Sequence, residues 1–227
     1  MVSVGMVLLS PESFRETLSG GDLLVNGAYV CLSAAWLAHE ARSYPTTSRW
    51  LLIAAAFFGV ALASRPNFAV VWPITLACVA RSAGLRSGMW AALASASALL
   101  AVTVPVYLWN PADFSPLHVA SKANFSFIPH SGVIIALGSG LMALWLASIS
   151  HKGRMMWDCA VACYTPFLLM AAMASVDAGA ARPFGLGYGL CALPFLGWAV
   201  AARHYEQPRV NLSFSRVRGR MRPGGLN

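Results

Sequence analysis

Charge is what this sequence has least of. Only 11% of its 227 residues are Asp, Glu, Lys or Arg, while 58% are hydrophobic; a soluble domain averages about a quarter charged. A water-soluble fold of this length keeps too much surface to hide that apolar material, so a soluble globular class is excluded. Acids are scarcest of all, 8 against 16 basic residues. The chain also lacks a His/Cys metal cluster, a glycine-rich phosphate loop and a nucleophile elbow, and no cofactor is expected. Its five cysteines (Cys31, Cys78, Cys159, Cys163, Cys191) are odd in number and lie inside apolar runs, which argues against a disulfide framework. Cys159 and Cys163, four residues apart beside Asp158, come nearest to ligand spacing but read as small packing residues. Met1 to Leu9 is apolar without a basic leader or a cleavage site, so it does not read as a signal peptide. It looks like the end of a helix whose beginning is missing. There is no repeat, coiled coil or low-complexity domain.

What the sequence does have is long apolar stretches. A hydrocarbon core of about 30 Å needs roughly 20 helical residues to cross it, and six to seven such segments would consume most of the chain. The expected fold is therefore all-α, a polytopic transmembrane helix bundle over residues 1–202. Its spans fall at about 23–41, 50–63, 68–81, 88–109, 131–150, 156–174 and 183–202, followed by a basic tail at 203–227. The runs within 50–80 are each short for an upright crossing and together too long for one. Ser64-Arg65-Pro66-Asn67 interrupts them, and proline both removes a backbone donor and pushes Arg65 from helical geometry. A helical hairpin with its tip at 64–67 is expected. The span at 88–109 is rich in alanine and serine, which permits close helix approach. Pro166 should bend its span, and Gly185, Gly187 and Gly189 should loosen the start of the last one.

The net charge of +8 reads first as a topology signal. Arg42 with Arg49, Arg81 with Arg86, Lys152 with Arg154, and the tail's Arg203, Arg209, Arg216, Arg218, Arg220 and Arg222 form four clusters. Counting 50–80 as two crossings puts all four on one side, which the positive-inside rule makes cytoplasmic. The location implied is the cell membrane, with the C-terminus cytoplasmic. Membrane lipids are the expected partners, with anionic headgroups at the tail, and nucleic acid is not. The opposite side receives the N-terminal segment, the tip at 64–67, the long loop 110–130 and the turn 175–182.

Candidate site residues lie on that opposite side. Arg65 is costly at a membrane turn unless it is solvated, paired or given an anion, and its planar fork suits phosphate oxygens. Headgroup anchoring, lipid-phosphate binding and an internal ion pair all remain open for it. Asp22 can cap the first helix or contact a substrate hydroxyl or a metal. Asn26 and Asn67 can hydrogen-bond headgroups or neighbouring backbone. The long loop carries Trp109, Asn110, Asp113, His118, Lys122 and His130, readable as boundary anchors or as a substrate-facing lid. Asp177 and Arg182 are expected to pair within one short turn. The sequons at Asn124 and Asn211 read as chance.

Several of these residues carry a resemblance. Ser10-Pro11-Glu12-Ser13 through Gly20-Gly21-Asp22-Leu23-Leu24, then Ala61-Leu62-Ala63-Ser64-Arg65-Pro66-Asn67 with Trp72-Pro73, and Leu108-Trp109-Asn110-Pro111-Ala112-Asp113-Phe114 resemble polytopic GT-C glycosyltransferases. The similarity is closest to the polyprenyl-phosphate-mannose-dependent family 87, and it covers roughly residues 8 to 115. It implies the C-terminal portion of an enzyme that moves a sugar from a polyprenyl-phosphate donor to an acceptor on the non-cytoplasmic side. An acidic residue takes the acceptor's proton there, and basic groups stabilise the departing phosphate, the role that would fall to Arg65. The family's catalytic acid belongs to an earlier outer loop that this chain lacks, so Asp22 does not inherit it and no catalytic residue is assigned. A non-enzymatic scaffold or accessory subunit is the alternative, and a small transporter a more distant one.

Overall fold

The computed structural model describes residues 22–44, 47–109, 125, 128, 130–180 and 186–206. Among these the chain is helical, apart from turns and one isolated bridge between Phe125 and Ile128. The α-helices are α1 (Asp22–Ser43), α2 (Arg49–Leu62), α3 (Val71–Ala83), α4 (Leu85–Trp109), α5 (Ser131–Ile149), α6 (Met155–Ala178) and α7 (Leu193–Glu206). Short 3-10 segments, Pro66–Val70 and Leu186–Ala192, lead into α3 and α7. Three helices, α4, α5 and α6, are long and apolar enough to cross a membrane.

Local chemistry explains the breaks. The Ser48 hydroxyl accepts from the Leu51 amide at 3.1 Å and starts α2, satisfying one of the donors that every helix start leaves open. Pro66 opens the first 3-10 segment, and Arg65 before it is extended (φ −155°, ψ 133°), as a residue preceding proline should be. Gly84 alone separates α3 from α4, at φ 88°, a conformation that side chains resist. The last span departs from a single regular helix. Its glycine-bearing start is 3-10 up to Ala192, and α7 begins only at Leu193.

Contacts between helices fix their directions. Trp72 Nε1 donates to Ser95 Oγ at 2.9 Å, and with only Gly84 between them α3 and α4 run antiparallel. The Thr47 and Ser87 hydroxyls meet at 3.0 Å, while Gly59 lies against the Ser95 backbone, so α2 runs parallel to α4. It follows that α2 and α3 oppose each other. The corner at 63–70 is a true reversal, as the hairpin reading requires. The legs nevertheless do not pack along one another; each lies against α1 and α4. Small groups make this possible, because Gly59, Ala91 and Ser95 let α4 approach α2 closely.

The core is apolar, with Leu37, Leu51, Phe58, Ile74 and Phe195 fully buried, but α4 and α5 turn mostly small residues inward. The inward residues of α5 are Ser131, Gly132, Ile135, Ser139, Ala143, Leu146 and Ala147, whereas Leu137, Leu141, Leu144 and Trp145 are exposed. In α4 the buried residues are Ser87, Gly88, Ala91 and Ser95, with Leu93, Leu100 and Leu108 outside. Only 11% of the most apolar window of α4 is buried. Small and hydroxyl-bearing residues inside with large aliphatics outside is how helices associate when the solvent is itself apolar. In water the same exposure would be a large unpartnered patch.

Candidate functional site: a corner groove and a basic end

The bundle has two chemically different ends. At one, the basic loops converge. Arg42 donates to the Lys152 carbonyl at 3.4 Å. Arg81 donates to the carbonyls of Ala147 (2.7 Å) and Ser148 (2.8 Å), and also to that of Ser150. These are the orphan acceptors at the end of α5, where a cation is favoured by the helix dipole. Arg154 pairs with Asp158 at 3.4 Å, and Asp158 is buried with its Oδ2 lacking a hydrogen-bond partner. Three of the four clusters expected on one side thus do share one end; most of the fourth, the tail, lies outside the described residues.

At the opposite end is the 64–70 corner. Arg65 and Asn67 are both half-buried there, and the Arg65 carbonyl accepts from the Phe68 amide at 3.1 Å. Phe68 is fully buried and pins the corner into the core. Beside it runs a groove between α1 and α2, lined by Asn26, Tyr29, Leu32, Ser33, Trp36, Phe57, Val60, Ala61 and Ser64, with a volume of about 550 Å³. Two of its lining rings, Trp36 and Phe57, have centroids 5.6 Å apart. Asn26 and Ser64, the latter adjacent to Arg65, mark its corner end.

Of the residues singled out from sequence, Arg65 and Asn67 sit together on the corner, and Asn26 lines the groove that Ser64 also lines. Asp22 is the first residue of α1 and so belongs to that helix, where the sequence reading put it just ahead. Asp113, His118 and Lys122 lie outside the described residues, as do Asn110 and Arg182. α6 runs through Asp177 to Ala178, past the expected start of the turn at 175, and the expected pairing of Asp177 with Arg182 involves a residue outside the described ones. Among the described residues no three His, Cys, Asp or Glu side chains are arranged to hold a metal, and the cysteines are buried and free.

The groove itself was missed from sequence, although its signal is present. Tyr29, Leu32, Ser33 and Trp36 follow i, i+3, i+4, i+7, and so do Phe57, Val60, Ala61 and Ser64. Each set is one helix face. Uniformly apolar helices mask such faces, because no polar side contrasts with them.

No protein family, curated protein or solved structure matches this chain. Its function is therefore argued from its own residues.

Proposed function

We propose that the seven helical segments each cross a bilayer, with the basic end cytoplasmic, and that the corner groove holds the lipid of a polyprenyl-phosphate sugar donor. The chain then acts as the donor-binding portion of a membrane glycosyltransferase. The length of α3 with its 3-10 lead supports a crossing there. α3 alone spans about 20 Å at 1.5 Å per residue, and the 3-10 residues before it add about 10 Å at 2 Å each, which matches a hydrocarbon core.

One observation carries the donor reading: an apolar groove whose corner end is lined by Asn26 and Ser64, with Arg65 the next residue of the chain. An isoprenoid chain fits the aromatic and aliphatic walls, and a phosphate at the corner suits guanidinium donors. In this reading Arg65 stabilises charge on the departing phosphate.

The test is equilibrium binding of a polyprenyl phosphate and of the matching uncharged polyprenol to the purified chain in neutral detergent. Arg65→Ala is expected to weaken only the phosphate by tenfold or more, about 1.4 kcal/mol. Val60→Trp, which fills the groove, should weaken both ligands. Affinity for the phosphate unchanged in both variants would retire the assignment. Donor binding without sugar transfer to any acceptor would favour the accessory-subunit reading over the enzyme.

A further inference from the structure

The basic end contains a cleft that the donor reading does not use. It lies between α1, the α5–α6 turn and α7, has a volume of about 130 Å³, and is lined by His39, Arg42, Lys152, Met156, Trp198 and Ala199 among others. Three residues capable of positive charge face one space, and among the described residues its walls contain no carboxylate. Two described acids near it each direct one carboxylate oxygen elsewhere. Glu40 accepts from Trp36 Nε1 at 3.2 Å, on the face of α1 that meets α2. Asp158 is buried and accepts from Arg154. The Arg42 guanidinium is tied to the Lys152 main-chain carbonyl across 110 residues of sequence, so the two helix ends that form the cleft are held together. His39 is steadied by Ser43, 3.5 Å from its Nε2.

Like charges gathered in one cleft repel unless an anion offsets them, and an arginine with a lysine beside it matches phosphate oxygens. The cleft has room for a phosphate group. Trp198, 44% exposed, stands beside the cationic residues as aromatic side chains do at the level of lipid headgroups. We infer that this cleft binds the phosphate of an anionic glycerophospholipid from the adjacent leaflet, the acyl chains remaining in the bilayer beside α7. The inference rests on the bilayer placement of the bundle and is independent of any sugar donor.

The decisive experiment is native mass spectrometry of the full chain in neutral detergent. It is titrated separately with dioleoyl phosphatidic acid, dioleoyl phosphatidylcholine and inorganic phosphate. The expected result is one retained phosphatidic acid, with occupancy at least tenfold higher than for phosphatidylcholine at equal concentration. Lys152→Glu should abolish that preference. Its side chain is exposed and the carbonyl that Arg42 uses is retained, so folding is preserved; Arg42→Ala serves as the second variant. Equal retention of the two lipids, or undiminished phosphatidic acid in both variants, would overturn the site. Displacement of the lipid by an equal concentration of inorganic phosphate would overturn the lipid assignment in favour of a free oxyanion.

Discussion

At the residue scale the interior depends on a few close approaches that tolerate no added atoms. A Cβ at Gly59 would overlap the backbone of Ser95, and α2 is also packed by α1, and α4 by α3. Gly59→Leu should therefore separate α2 from α4 and destabilise the bundle by about 1–3 kcal/mol, the usual cost of overpacking. Gly140 lies in mid-helix with nothing within 4 Å of a Cβ built on it. Gly140→Ala should be neutral or stabilise by about 0.5–1 kcal/mol. Thermal unfolding in one detergent compares the pair directly; equal losses would show that the α2–α4 contact is not tight. Arg81 poses a second residue-level question, because it serves three carbonyls at the end of α5. Ser150 is buried, and an acceptor stripped of its partner there costs about 1–3 kcal/mol. Arg81→Met should lose about 2 kcal/mol in the same assay, and Arg81→Lys, which keeps the charge but not the fork, should recover only part of it.

At the element scale the corner between α2 and α3 decides the topology. α2 is parallel to α4, α3 antiparallel, so the chain reverses at 63–70 and the ends of α2 and α3 remote from the corner lie on one side. In a cysteine-free background, Tyr44→Cys and Leu85→Cys are expected to react with a membrane-impermeant thiol reagent from one face. Ser64→Cys should react from the other. If Tyr44→Cys and Leu85→Cys labelled from opposite faces, the region would cross once and the basic clusters would be split. Much of this element was legible beforehand: the interruption at Ser64-Arg65-Pro66-Asn67 shows in any hydropathy pass, and the loop arginines demand an even number of crossings between Arg49 and Arg81. That α4 would lie against both legs was not legible. Small residues on α4 announce close packing but not with which partner, since apolar helices offer many near-equal neighbours. The groove residues escaped for the related reason that Tyr29, Trp36, Phe57 and Val60 look like their lipid-facing neighbours until two helices place them opposite each other.

At the scale of the whole molecule the question is which solvent surrounds the bundle, and one outward leucine answers it. Leu141 sits near the middle of α5 and is 67% exposed, on the same outward stripe as Leu137 and Leu144. In an aqueous protein such a position is permissive: exposed substitutions away from special features stay within about 0.5 kcal/mol, and Leu141→Arg would improve solubility. At the centre of a bilayer an arginine costs about 2.5–3.5 kcal/mol for insertion, with no nearby end to which the side chain can reach. Leu141→Arg is therefore expected to lower the membrane-inserted fraction of the chain by tenfold or more. Leu85→Arg, equally outward but at the basic end where α4 begins, should change it little. Expression with fractionation into carbonate-resistant membranes reads both variants. The contrast between the two leucines separates lipid from water, because aqueous exposure makes them equivalent and a hydrocarbon slab does not. Equal, undiminished insertion of both would put the surface of α5 in water and remove the bilayer on which the groove and the basic cleft depend.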